Sequence, residues 1–118
     1  MITDSLEQRD DGIQQLTEAQ GSFKAAGVAL AEAERAYRVA KAVKVLKLRD
    51  EGQPATIIGD LVNGDSNIAE LRMERDICEV EFKAVQSNIN TLKLELRLIN
   101  DEINREWNSG GLGDTNEY

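Results

Sequence analysis

From Leu71 to Ile103 the chain places one residue of a common stripe at alternating steps of three and four. The positions are Leu71, Arg75, Cys78, Phe82, Val85, Ile89, Leu92, Leu96, Ile99 and Ile103, and only Arg75 is not apolar. A period near three and a half keeps such a stripe on one side of an α-helix, and a strand with its period of two cannot use it. The stripe is narrow, so it needs a second helix lying along it.

The first half of the chain carries the matching stripe: Leu16, Ala19, Phe23, Ala26, Leu30, Ala33, Tyr37 and Ala40. Large and small residues alternate along it. Folding the chain back antiparallel sets Leu16 opposite Ile103, Phe23 opposite Leu96, Leu30 opposite Ile89 and Tyr37 opposite Phe82. The alanines then face Ile99, Leu92, Val85 and Cys78. Alanine opposite a bulky residue lets two axes approach to about 8 Å, the lower end of the usual range. The fold class is therefore all-α: a long antiparallel helical hairpin of the coiled-coil type.

The turn chemistry supplies the boundaries. Helix one is expected over about residues 5–50, opened by Asp4 or Ser5 as cap and closed before Gly52 and Pro54. Gly12, Gly21 and Gly27 lie inside it, each costing about 1 kcal/mol relative to Ala, so its first thirty residues are expected to bend or fray. Residues 53–66 form the connection, with Pro54 in the first turn of a short helix that ends at Asn63-Gly64. Helix two is expected over about 67–107, with Asn67 and Glu70 as a capping box. Residues 1–107 thus make one helical-hairpin domain. Residues 108–118, polar and Gly-rich, are expected to be a disordered tail.

Helix two has a second, weaker stripe nearly opposite the first: Met73, Ile77, Val80, Ala84, Ser87, Thr91, Leu94 and Leu98. A helix that is apolar on two sides is usually buried on two sides. A homodimer or higher oligomeric bundle with helix two at its centre is the expectation, with Met73, Ile77, Val80, Ala84, Leu94 and Leu98 as the oligomer seam.

Composition bears on function. The chain has no histidine and a single cysteine, Cys78, which sits in the first seam. An intrachain disulfide is excluded, as are metal sites of the Cys/His type. A buried thiol without a basic neighbour is inert packing. No catalytic residue, cofactor or metal is expected, and the chain reads as a non-enzyme. Acidic neighbours such as Glu32/Glu34 and Asp101/Glu102 read as solvated helix faces. The run Gly110-Gly111-Leu112-Gly113 has none of the strand–loop–helix context or the Lys-Ser/Thr pair of a phosphate loop. No apolar run reaches the roughly 18 residues of a membrane span, and residues 1–11 lack the pattern of a signal peptide. The cytoplasm of a bacterial host is the expected location.

The formal charge is −8, but it is unevenly spread. Arg35, Arg38, Lys41, Lys44, Lys47 and Arg49 form a basic run on helix one. In the register above they lie beside Glu70, Glu74, Asp76, Glu79 and Glu81. Pairing within the hairpin is the first reading of this run, and phosphate contact with nucleic acid the second. The connection offers Pro54, Ile57, Ile58, Leu61 and Val62, with Ile57, Ile58, Leu61 and Val62 on one helical face, as candidate contacts for a protein partner, since loops held by a rigid scaffold are common binding sites.

One stretch supports a resemblance. Tyr37-Arg38, Ala40-Lys41, the run Glu51-Gly52-Gln53-Pro54-Ala55-Thr56-Ile57-Ile58-Gly59-Asp60-Leu61, Gly64-Asp65, the run Ala69-Glu70-Leu71-Arg72-Met73-Glu74-Arg75-Asp76, and Arg105-Glu106-Trp107 resemble a set of small helical proteins of temperate bacteriophages and prophages of Gram-positive bacteria. The resemblance spans residues 37–107 and carries no catalytic signature. It implies an accessory adaptor in phage DNA recombination or replication, binding a protein partner and single-stranded DNA. Two other classes stay open: an inhibitor of a host defence or host enzyme with an acidic, DNA-mimicking surface, and a structural or assembly scaffold.

Overall fold

The computed structural model describes residues 2–109, and these form three helices in the order α1 (Ile2–Asp50), α2 (Ala55–Asn63) and α3 (Ser66–Ser109). The chain is an all-α helical hairpin: α1 and α3 run antiparallel and α2 is the short connecting helix.

Each break has a local cause. Gly52, at φ +81°, follows the end of α1 in the left-handed conformation that L side chains rarely adopt. The N–H of Gln53 donates to the carbonyl of Leu48 and that of Gly52 to the carbonyl of Arg49, both at 3.0 Å. This pair of bonds is the Schellman closure. Pro54 sits one residue before α2, at its N-cap and not inside its first turn. Asn63-Gly64 ends α2 as expected, the Gly64 N–H donating to the carbonyl of Asp60. The cap of α3 is Asp65, not Asn67. Its Oδ1 accepts from the backbone N–H of Asn67 at 3.0 Å and of Ile68 at 3.1 Å. A carboxylate reaches the second and third N–H of a helix from the N-cap position, and Asn67 is already inside the helix.

Contacts group into two units: α1 through Phe23 with α3 from Val85 onward, and Lys24–Ala84. In the first, Ala19, Ile89 and Leu92 are buried, with Leu16, Phe23 and Val85 packed against them. Gly12 joins this seam by close approach, since a Cβ there would lie 2.8 Å from Cδ2 of Leu96. Ser5 is buried, and its hydroxyl donates to Glu106 at 3.3–3.4 Å. It is therefore a packing residue and not the cap of α1, which already begins at Ile2. The helix is continuous through Gly12, Gly21 and Gly27. Gly12 offsets its propensity cost by letting Leu96 approach, and Gly27 faces the Phe82 ring. At the other end α3 continues through Asn108 to Ser109. The rest of the expected tail, 110–118, lies outside the described residues.

In the second unit Tyr37, Leu48, Ile58, Val62 and Ile68 form the core, joined by Ala40, Val45 and Leu71. All the predicted seam positions on both helices are buried or half-buried, but the register is not the expected one. Arg75 lies over the ring of Tyr37, 4.6 Å from its centroid, where Phe82 was expected. In the first unit Phe23 packs in one cluster with Ile89, where Leu96 was expected. Both pairs are displaced by one heptad. Seven residues make nearly two full turns, so such a slide leaves every stripe facing its partner. The single polar seam residue breaks the tie. In the expected register Arg75 would face Lys44, like against like, whereas here it meets an aromatic face. The slide also leaves Leu48 free to pack on Ile58 and Val62 of α2.

Candidate functional site

Three surfaces follow from this packing. The first is α2. Its apolar face was expected to be one contact surface, but the structure divides it. Ile58 and Val62 are 7% and 1% exposed and belong to the core, so they are unavailable to a partner. Burial against Leu48 and Ile68 is what seats the connection on the hairpin end. Ile57 and Leu61, each 40% exposed, and Pro54 remain on the surface. The seat is reinforced at its end by Arg72, whose guanidinium donates to the carbonyl of Asn63 at 3.3 Å.

The second is the basic run. Its expected pairing with Glu70, Glu74, Asp76, Glu79 and Glu81 is not formed among the described residues. Lys44 instead pairs with Asp65 at 3.3 Å. That ammonium, after the Ile68 N–H bond and against partial desolvation, holds the Asp65 carboxyl below its ordinary range. Arg38 turns back on its own helix to Glu34 at 2.6 Å, and Lys41 lies over the Tyr37 ring at 5.7 Å. The cross-hairpin pair at Glu34 has reversed polarity, with the acid on α1 and Arg75 of α3 as the base at 3.7 Å. The register explains this: the heptad slide carries Arg75 to the level of Tyr37 and Glu34. Arg35, Lys47 and Arg49 are exposed and, among the described residues, have no ion-pair partner within 4.0 Å. Glu70 and Glu81 on α3 are exposed and, among the described residues, have no ion-pair partner within 4.0 Å.

The third is the outer face of α3. Met73, Ile77, Val80, Leu94 and Leu98 are 44–68% exposed, and Ala84 is exposed with them. All six predicted oligomer-seam residues therefore point away from α1. Sequence reasoning did not find an apolar patch on α1, where Val39, Val43 and Leu46 are 55–60% exposed. Their steps of four and three were available as a signal, but the basic residues interleaved among them hid it.

Cys78 is buried in the seam, its thiol 3.7 Å from Oε1 of Glu74. Burial first, then the neighbouring Glu74 charge, pushes the thiol up from its ordinary value, which disfavours the thiolate. Among the described residues no group of three or more His, Cys, Asp or Glu side chains could hold a metal ion, and no helix is long and apolar enough to cross a membrane. Comparison with protein-family models, curated proteins and solved structures found no match for this chain.

Proposed function

We propose that the protein is a non-enzymatic interaction protein, an accessory adaptor in phage DNA recombination or replication acting in the cytoplasm of the bacterial host. It self-associates through the outer face of α3 and presents α2 to a protein partner. The observation that carries this reading is the division of labour on α2: one face is locked into the core through Ile58 and Val62, and the other offers Ile57, Leu61 and Pro54 to solvent. A short helix fixed in this way pays little ordering entropy when a partner binds. Lys47 and Arg49 precede it in the chain and supply phosphate contacts for single-stranded DNA. The phage assignment rests on the resemblance over residues 37–107.

The test is capture of partners by a tagged copy from phage-infected lysate, with and without nuclease, beside the double variant Ile57→Asp/Leu61→Asp. Replication or recombination proteins retained by the wild type and lost by the variant are expected. Identical capture by both would remove α2 as the contact surface.

A second reading, an acidic inhibitor imitating DNA, is favoured by the exposed acids Glu70 and Glu81 on the outside of α3. Competition with DNA for a host nuclease, weakened by Glu70→Lys/Glu81→Lys, would support it over the adaptor.

A further inference from the structure

Within the unit Lys24–Ala84, two exposed apolar faces match in spacing and oppose each other in charge. We infer that the acidic outer face of α3 in this unit docks on the basic outer face of α1 in a second copy of the chain, a heterologous contact. The inference rests on the self-association proposed above and names the surface that receives α3.

The α1 face is built on Val39, Val43 and Leu46, and the α3 face on Met73, Ile77 and Val80, all exposed. In each the steps are four and then three, so each trio covers about two turns of helix. Three bulky side chains on one copy thus meet three on the next.

Charge selects which face meets which. From Arg35 to Arg49 every charged side chain is basic. Lys41 and Lys44 are engaged with Tyr37 and Asp65, and Arg35, Arg38, Lys47 and Arg49 border the apolar trio. Glu32 and Asp50 stand just beyond its two ends. On α3, the exposed charges from Glu70 to Glu81 are Glu70, Glu74, Asp76 and Glu81, all acidic. The two arginines of that stretch are turned inward, Arg72 to the carbonyl of Asn63 and Arg75 to the Tyr37 ring. Asp76 is shared with Arg75, and Lys83, the first base beyond the stretch, is held by Glu79 at 2.9 Å. Pairing either face with its own copy sets like charges together whichever way the helices run. Pairing α3 with α1 sets acid beside base in both directions. Lys47 and Arg49 border the receiving face, so a neighbouring copy and a nucleic-acid strand would compete for it.

The two faces cannot both meet the same neighbour. Val39 follows Tyr37 by two residues and Ile77 follows Arg75 by two, and Tyr37 and Arg75 face each other across the seam. Two residues turn a helix by about 200°, so the two faces look away from each other. Each contact leaves one face of either kind open, and a contact of this type runs on past the dimer into a ring or an open array.

The experiment is sedimentation velocity of the full chain across the micromolar range, with two variants whose helicity is first confirmed by circular dichroism. Val43→Gln/Leu46→Gln blocks the α1 face and Ile77→Gln/Val80→Gln the α3 face, and glutamine keeps helix propensity. The wild type is expected to grow beyond a dimer, and less so in high salt, which screens exposed charge. Each variant alone is expected to need a several-fold higher concentration to associate. Mixed in equal amounts, the two are expected to stop at a heterodimer, because the mixture offers one intact pairing of faces and no second. A wild type that stops at a dimer, growth of either variant equal to that of the wild type, or a mixture that forms no complex would overturn the heterologous contact while leaving self-association standing. A wild type that stays monomeric throughout would overturn both and leave the two faces to other partners.

Discussion

Three glycines in one helix allow a single chemical change to be made in three different surroundings. Gly21 has nothing within 4 Å of where a Cβ would lie. Gly21→Ala should therefore gain the full helix-propensity difference, about 1 kcal/mol. At Gly27 the new methyl would meet the Phe82 ring at 3.4 and 3.9 Å, close to ordinary contact, so Gly27→Ala should gain nearly as much. At Gly12 the methyl would lie 2.8 Å from Cδ2 and 3.4 Å from Cγ of Leu96. The Leu96 side chain must then move, and overpacking of this kind costs about 1–3 kcal/mol. That cost cancels or exceeds the propensity gain, so Gly12→Ala should range from neutral to destabilising by about 2 kcal/mol. Urea unfolding followed by helical circular dichroism measures all three at one protein concentration, which matters if the chain self-associates. The expected order is Gly21→Ala and Gly27→Ala above wild type, with Gly12→Ala at or below it. If Gly12→Ala stabilises as much as Gly21→Ala, α1 and α3 do not approach closely at Leu96 and the packing described for the first unit is wrong.

Three further outcomes follow from the second unit. Ile68 is 1% exposed at the junction of all three helices, so Ile68→Ala should cost about 2–5 kcal/mol by the same assay, against little effect for the exposed Ile77→Ala in dilute, monomeric protein. The Asp65 carboxyl is held below its ordinary 3.8 by the Ile68 N–H and the Lys44 ammonium, against desolvation. The folded chain thus binds this proton less readily than the unfolded one. The stabilisation is complete above the ordinary aspartate range and is lost as pH falls through the lower folded value. Acid titration of stability should show this component, and Asp65→Asn, which keeps a capping acceptor without the charge, should remove it. Cys78, buried and pushed up by burial and Glu74, should alkylate with iodoacetamide far more slowly in the native protein than in urea. Equal rates would place the thiol outside the seam.

Periodicity alone determined that the chain is a helical hairpin and which residues line it. Every predicted seam position is at least half-buried, because a stripe repeating at three and a half residues leaves a helix one direction in which to bury it. The same argument identified the outer face of α3. Turn chemistry located the breaks at Gly52 and Gly64, though not the cap at Asp65, because Asp65 and Asn67 both offer acceptors and only the path of the chain shows which precedes the helix. The division of α2 was equally out of reach. Ile57, Ile58, Leu61 and Val62 are equivalent as sequence, and they became core or surface only when Leu48 and Ile68 took up one side. Register, too, was left to tertiary structure. A slide of one heptad leaves every apolar residue facing apolar residues, so the hydrophobic pattern is nearly indifferent to it. What separates the alternatives is the placement of Arg75 against Tyr37 and of α2 against Leu48, and both depend on contacts between residues far apart in the chain.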